Sequence, residues 1–335
     1  MGTKPTMEPI RVGLVADPAA PTKIARGMTD LSPLDGSDAW HIIVVSEPFT
    51  TGSEDVEIAV SRLQDLAGSR NWDIVVGLTE LPLHDREGRH LLVEADPERR
   101  TAVLSLPALG GLRMHSRARR AVRSLVSAMT DPDTDEKQRV ALPPVRGRWR
   151  LLLGMVLANR PWLLVPGLKS ALVAALATGA VATVNSTIWL LAGSLSWWRL
   201  VVATITSIAL VVAWLVIDSE LWDHPGDDSL QARERSRLYN ASTLLTLVTG
   251  VLICYAALYI VNLAWALFVL DPGLMGGYLN ASLGYRDMFV LAWFVASAAT
   301  VGGGLGSSLD SDEAVRAAAY SKREEERRER IAGNR

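Results

Sequence analysis

LYNASTLLTLVTGVLICYAALYIVNLAWALFVL, residues 238–270, runs for 33 positions without an Asp, Glu, Lys or Arg. An α-helix rises 1.5 Å per residue, so about 20 apolar residues cross a hydrocarbon layer of about 30 Å. Three further stretches are free of charge: 170–198 (29 residues), 200–217 (18) and 288–309 (22). Buried helices of soluble cores are shorter and keep a polar stripe toward water. The pattern therefore predicts an all-α four-helix transmembrane bundle over 163–309, with spans at about 170–192, 197–218, 243–270 and 288–309.

The rest of the 335-residue chain is ordinarily charged, so that 21% Asp, Glu, Lys and Arg coexist with a mean hydropathy of +0.19. Thirty-four Lys and Arg against 36 Asp and Glu leave a net charge of −2, which speaks against a broadly basic nucleic-acid binder. The one cysteine, Cys254, excludes an intrachain disulfide and any multi-cysteine zinc site.

Flanking charge orients the spans. Arg146, Arg148 and Arg150 precede the first, and Arg233, Arg235 and Arg237 separate the second from the third. Arg316, Lys322, Arg323, Arg327, Arg328 and Arg330 follow the fourth, whereas the other two loops carry only Arg199 and Arg286. The positive-inside bias predicts a multi-pass protein of the inner membrane with both termini cytoplasmic. Trp149, Trp162, Trp214 and Trp222 toward the inner face, and Trp189, Trp197, Trp198, Trp265 and Trp293 toward the outer, fit an aromatic belt. No apolar run marks a signal peptide at 1–9, so insertion is expected to start at the first span. Arginine far outnumbers the five lysines, and Ala and Val abound, a usage that points to a high-GC bacterium.

After a disordered stretch at 1–9, residues 10–130 read as a cytosolic α/β (α+β) domain with a mixed sheet. IRVGLVA (Ile10–Ala16), WHIIVVS (Trp40–Ser46) and WDIVVGL (72–78) are apolar runs of strand length, with helical spacing at 22–30 and 54–67 between them. That β–α–β–α–β order predicts parallel strands joined by right-handed crossovers. Segments 90–95 and 101–106 flank the turn-like DPERR and form a hairpin that adds antiparallel strands. Residues 117–129 are an amphipathic helix, 131–147 a polar linker, and 148–162 (RWRLLLGMVLANRPW) an interfacial helix. Residues 310–335, with nine consecutive charges in KREEERRER (322–330), read as a charged cytosolic helix.

No GxGxxG follows a strand, and neither GxxxxGK[ST] nor HExxH is present. In a parallel sheet Asp17, Glu47, Thr79 and Glu80 gather at the carboxyl ends of three strands, where open α/β sheets bind ligands. They are the candidates for ligand or cofactor contact; the alternative is that they are solvated loop residues. No catalytic residue, metal or cofactor is identified. Arg117 and Arg120, with Arg148 and Arg150, are candidates for contact with anionic lipid, and nucleic acid is not expected. Asn185 and Asn262 sit at similar depth in the first and third spans; they bond either each other or their own helices. Gly302 and Gly306 belong to a small-residue face of the fourth span that lets helices approach.

Two resemblances bear on these readings. WHIIVVSEPFTTG (40–52), WDIVVGLTELPL (72–83), AVLSLPALGGLR (102–113) and GMVLANRPW (154–162) resemble an uncharacterised family of actinobacterial multi-pass membrane proteins over most of the chain. That likeness implies the architecture and no established activity. Residues 72–129 resemble an archaemetzincin-like fold, which implies a strand–hairpin–helix arrangement. The helix that carries HExxH in that family here reads Arg123-Ser124-Leu125-Val126-Ser127, and arginine cannot ligate zinc.

Three functions follow as expectations: a sensing or protein-docking module anchored by four spans; a transporter or channel component with a regulatory domain; a membrane-tethered enzyme using the Asp17, Glu47 and Glu80 edge. The expected partners are the lipid bilayer, a cytosolic protein and a second copy of the chain.

Overall fold

The computed structural model describes residues 9–33, 39–50, 56–85, 87–111, 113–131, 137–225, 230–280 and 282–306. Residues 1–8 of the expected disordered stretch at 1–9, and the charged helix at 310–335, lie outside the described residues. The chain divides into two units, the first running to Ala158 and the second beginning at Asn159.

The first unit is an α/β domain with a mixed sheet. Its elements run β1 (Ile10–Ala16), α1 (Ala20–Arg26), β2 (Trp40–Ser46), α2 (Val56–Arg70), β3 (Ile74–Thr79), β4 (Leu83–His84), β5 (His90–Asp96), β6 (Thr101–Ser105), α3 (Met114–Thr130), β7 (Gln138–Ala141) and α4 (Pro144–Ala158). The sheet order is β2-β1-β3-β6-β5, with β4 and β7 both on β5. The first four are mutually parallel, and β5 pairs antiparallel with β6, β4 and β7.

Strand periodicity sorts the apolar side chains to two faces. Val12, Leu14, Ile74, Val76 and Leu78 face a layer made by Ile24 of α1, Met28 in the turn that follows it, and Val122, Leu125 and Val126 of α3. Val15, Val75 and Val103 face Val60 and Leu63 of α2 on the opposite side. Covered on both faces, the central strands are near-continuous apolar runs, as parallel strands require.

Residues 138–141 fall inside the segment read from sequence as linker, yet they form an edge strand. Arg139 lies opposite Glu94 on β5, and its Nη2 donates to Glu94 Oε1 at 2.7 Å. All four residues of β7 are exposed, so no apolar alternation announces the strand. Helix α4 starts earlier than the 148–162 reading and ends at Ala158, before Arg160 (φ 51°) and a turn at Pro161–Leu163. It packs on the turn at Pro107–Leu109 of the α/β domain: a Cβ built on Gly154 would lie 2.1 Å from the Pro107 carbonyl oxygen.

The second unit is helical: α5 (Leu164–Gly167), α6 (Lys169–Val184), α7 (Ser186–Ser194), α8 (Trp197–Asp218), α9 (Leu230–Val269), α10 (Pro272–Leu279) and α11 (Tyr285–Gly306). Among the described residues two helices are long and apolar enough to cross a membrane, Trp197–Asp218 and Ala232–Val269. Arg146–Gly167 and Lys169–Val184 pass the same test only as a pair, bent by 54°. The expected span at 170–192 is not continuous. Asn185 leaves the helix (φ −84°, ψ 120°) and caps α7, its Oδ1 accepting the Thr187 N–H at 2.9 Å. Of the four spans read from sequence, the described residues show two as continuous helices of spanning length, or three with the bent pair; residues 307–309 of the fourth lie outside the described residues. The fourth expected segment forms α11, which packs against α6, α8 and α9.

This unit carries large apolar side chains on its outside as well as in its interior, where Val211, Leu215, Leu247, Leu291 and Val295 are buried. Val202, Ile205, Ile217, Ile260 and Phe268 point outward, the last 90% exposed. Ser207, Asn262, Ser297 and Thr300 are buried. An outer surface of large apolar side chains suits lipid; of the buried polar groups, Ser207, Asn262 and Thr300 bond carbonyls of their own helices and Ser297 reaches Tyr255 of a neighbouring one.

Candidate functional site

The loop after β1 feeds α1 and leads to β2 on one side, whereas the chain leaving β3 moves to the other side through β4 and β5. Adjacent strands β1 and β3 thus send their connections in opposite directions, the topological switch point at which open α/β sheets bind ligands.

Asp17 directly follows β1 and Thr79 ends β3; both are fully buried. The Thr79 hydroxyl donates to Asp17 Oδ2 at 2.6 Å and accepts the Leu81 N–H at 3.0 Å. With its proton so committed, Thr79 accepts from the Thr50 hydroxyl at 3.0 Å, which brings in the loop after β2. Thr22 of α1 donates to the Asp17 carbonyl at 2.8 Å, leaving Ser46 as donor in the 2.8 Å contact between their hydroxyls. Ser105, at the end of β6, donates to the Leu81 carbonyl at 3.0 Å. The ends of four parallel strands thus carry a set of hydroxyls, of which that of Thr79 bonds the buried Asp17 carboxylate.

Of the four residues expected at this edge, the structure joins Asp17 to Thr79. Glu80 is buried beside them in sequence. Glu47 turns to the exterior, where it pairs with Arg70 at 3.1 Å, and that guanidinium lies 5.4 Å from the centre of the Trp72 ring. Thr22, Ser46, Thr50 and Ser105 were not among the sequence candidates. Their signal was positional: Ser46 and Ser105 are the last residues of strands, and Thr22 and Thr50 follow strand ends closely.

The arrangement is a buried, polar, hydroxyl-rich strand edge. Among the described residues no group of three or more His, Cys, Asp or Glu stands close enough to hold a metal ion. His84 and Asp85 serve the β4–β5 turn. Asp85 Oδ1 accepts the Glu87 and Arg89 N–H groups at 3.0 and 2.8 Å, and Oδ2 accepts Arg89 Nε at 2.8 Å. Burial raises the Asp85 pKa, but the bonds from Arg89 and Glu87 outweigh it and hold the carboxyl below its usual value.

The basic residues divide by role. Arg119 is tied to Asp30 through two bonds of 2.7 and 2.8 Å. Arg117 Nη1 and Arg150 Nη2 both donate to the Leu109 carbonyl, at 2.7 and 2.9 Å. Arg120 and Arg148 are exposed.

In the helical unit, Trp293 Nε1 donates to Thr204 Oγ1 at 2.7 Å, and the Tyr255 hydroxyl lies 3.1 Å from Thr204 and 3.0 Å from Ser297. This cluster joins α8, α9 and α11. Asn262 donates to the Leu258 carbonyl at 2.8 Å, so it and the capping Asn185 both bond locally. Asn262 also fills the space over Gly179, where a Cβ would lie 2.2 Å from its Oδ1. Gly303, rather than Gly302, faces a neighbouring helix: its Cβ would lie 2.6 Å from the Ala171 carbonyl, while a Cβ on Gly302 meets nothing within 4 Å. The side-chain surroundings of Gly306 lie outside the described residues.

No protein-family model matches this chain, and no curated protein and no solved structure does so either.

Proposed function

We propose that the chain is a multi-pass inner-membrane protein, both termini cytoplasmic, whose α/β domain is a sensing or protein-docking module held at the membrane by its helical unit. The observation that carries this reading is the apolar outer surface of the helical unit, with Ile205, Ile260 and Phe268 outward on helices long and apolar enough to cross a membrane. The buried Asp17–Thr79 contact at the switch point supports binding of a small polar ligand by the module, and the absence of HExxH and phosphate-loop motifs favours binding over catalysis. The test is membrane fractionation followed by labelling of single cysteines placed in a C254S background. Retention in alkali-washed membranes, with a cysteine at Arg120 reached only after permeabilisation, supports the reading. Release by alkali, or labelling in intact cells, refutes it.

One observation favours a second reading. Thr204, Tyr255, Ser297 and Trp293 form a polar cluster among helices of membrane length, and polar groups at that depth often line a path for solute. Uptake into proteoliposomes that W293F lowers without loss of protein would move transport to first place.

A further inference from the structure

Arg117 of α3 and Arg150 of α4 come from helices 33 residues apart in sequence and donate to the same carbonyl oxygen, that of Leu109. Bound to one oxygen, the two guanidinium nitrogens can be no farther apart than the two bonds laid end to end. Like charges this close repel, and neither arginine forms an ion pair with a carboxylate among the described residues. Other arginines of the domain are neutralised: Arg70 by Glu47, Arg89 by Asp85, Arg119 by Asp30 and Arg139 by Glu94. The pair is also held deliberately close. Gly110 carries φ +81° beneath it, and a Cβ there would lie 3.1 Å from Arg150 Cγ and 3.4 Å from Arg117 Nη1. Gly154 brings α4 against Pro107, two residues before the shared carbonyl. Arg113 is the N-cap residue of α3 (φ 55°), its carbonyl accepting the Arg117 N–H at 3.1 Å, and Arg146 lies one turn before Arg150 in α4.

A guanidinium has five N–H donors in a planar fork that matches phosphate oxygens, and each of these two spends one on Leu109. Both side chains are open to solvent. We infer that Arg117 and Arg150 form a two-pronged clamp for a phosphate group, with Arg113 and Arg146 at its rim. A bound dianion removes the repulsion between the prongs and takes up donors that the protein leaves pointing outward. The phosphate can belong to a lipid headgroup or to a soluble molecule. The clamp is a second site, built from other residues than the Asp17–Thr79 edge, and its lipid arm rests on the membrane reading.

The experiment uses the full chain in a neutral detergent, titrated calorimetrically with inorganic phosphate and with short-chain phosphatidic acid, at fixed chloride. The R117K/R150K variant keeps both charges and loses the forks, and R117Q/R150Q loses both. Binding of either ligand that falls about tenfold or more in the lysine variant, and further in the glutamine variant, supports the clamp. Binding of phosphatidic acid without inorganic phosphate assigns the group to lipid; comparable binding of both assigns it to a soluble phosphate. Binding of neither ligand, or equal binding by wild type and the lysine variant, overturns the proposal. If the glutamine variant fails to fold, the lysine variant decides alone. The titration does not depend on topology, so a failure of the labelling test and a failure of the clamp are separable.

Discussion

Thr79→Val tests whether the polar contact at the switch point holds the strand ends together. The two side chains are nearly equal in size, so the exchange removes the hydroxyl and leaves packing intact. Three bonds go with it: one to Asp17 Oδ2, one from the Leu81 N–H and one from Thr50. Thr79 is fully buried, so water does not replace them. A hydrogen bond to a charged group contributes about 1.5–3 kcal/mol, and a buried N–H left without a partner costs about 1–3 kcal/mol. The expected loss is therefore about 3–5 kcal/mol, a large share of the roughly 5–15 kcal/mol that separates folded from unfolded domains. Thr79→Ser keeps the hydroxyl and gives up one methyl, for about 1 kcal/mol. Hydrogen exchange of the peptide covering β3, followed by mass spectrometry on the full chain, reads local opening without assuming that both units unfold together. With each tenfold change in exchange equal to 1.4 kcal/mol, the valine variant should exchange at least about a hundredfold faster and the serine variant about fivefold. Equal exchange in the two variants would refute the claim that these bonds stabilise the edge.

Three further outcomes are expected. Asp85 has a folded pKa below its ordinary 3.8, so its contribution is present above that value and is lost as pH falls through the folded pKa; Asp85→Ala should cost about 2 kcal/mol at neutral pH, and the gap to wild type in denaturant titrations should close below about pH 4. Gly154→Ala gains about 1 kcal/mol of helix propensity but drives a Cβ to 2.1 Å from the Pro107 carbonyl oxygen, and backbone cannot yield cheaply, so net destabilisation of about 1–2 kcal/mol is expected by exchange of α4 peptides. Gly68→Ala, in α2 with nothing within 4 Å, is its control and should stabilise by up to about 1 kcal/mol. Gly303→Ala and Gly302→Ala share a helix and a propensity gain; the first should lower the melting temperature in detergent because Ala171 O and Ala175 Cβ lie 2.6 and 2.8 Å from the new atom, and the second should not. A reversed order would mean that another face of α11 meets α6.

The parallel strands were legible because burial on both faces turns them into short apolar runs: Ile10–Ala16 and Trp40–Ser46 begin and end where the sequence reading placed them. The antiparallel hairpin showed through its turn residues, and His90–Asp96 pairs with Thr101–Ser105 as expected. Strand β7 was invisible for the opposite reason. Its order comes from a long-range pair, Arg139 with Glu94, and an exposed edge strand of four residues has no periodicity of its own. The carboxyl-edge site was half legible. Topology alone puts Asp17 and Thr79 at the ends of neighbouring strands, but only the packed arrangement distinguishes them from Glu47, which the Arg70 guanidinium draws outward.

The helical unit shows where charge counting stops. A run without Asp, Glu, Lys or Arg measures how much of a chain lipid would tolerate, and says nothing of where the helix breaks. Asn185 is the instructive residue. Asparagine is a strong N-cap, and Asn185-Ser186-Thr187 is a helix-start signal lodged inside a 29-residue charge-free stretch. Depth made it look like a partner for Asn262; geometry made it the cap of α7. The glycines carry a related lesson. Adjacent residues of a helix point about 100° apart, so in the run Gly302-Gly303-Gly304 composition cannot choose the contact residue. The choice is made by α6, whose buried Ala171, Ala175, Gly179 and Thr183 recur every fourth position and form a stripe of small side chains. Gly303 seats on the first two and Asn262 on the third. That four-residue spacing of small side chains is a property of the sequence itself, and it points to α6 as the helix on which α9 and α11 are set. A break immediately after it, at Asn185, then lets the chain leave that stripe without extending it. The charge-free run is long because it holds two helices with different jobs, one that packs and one that turns the chain toward α8.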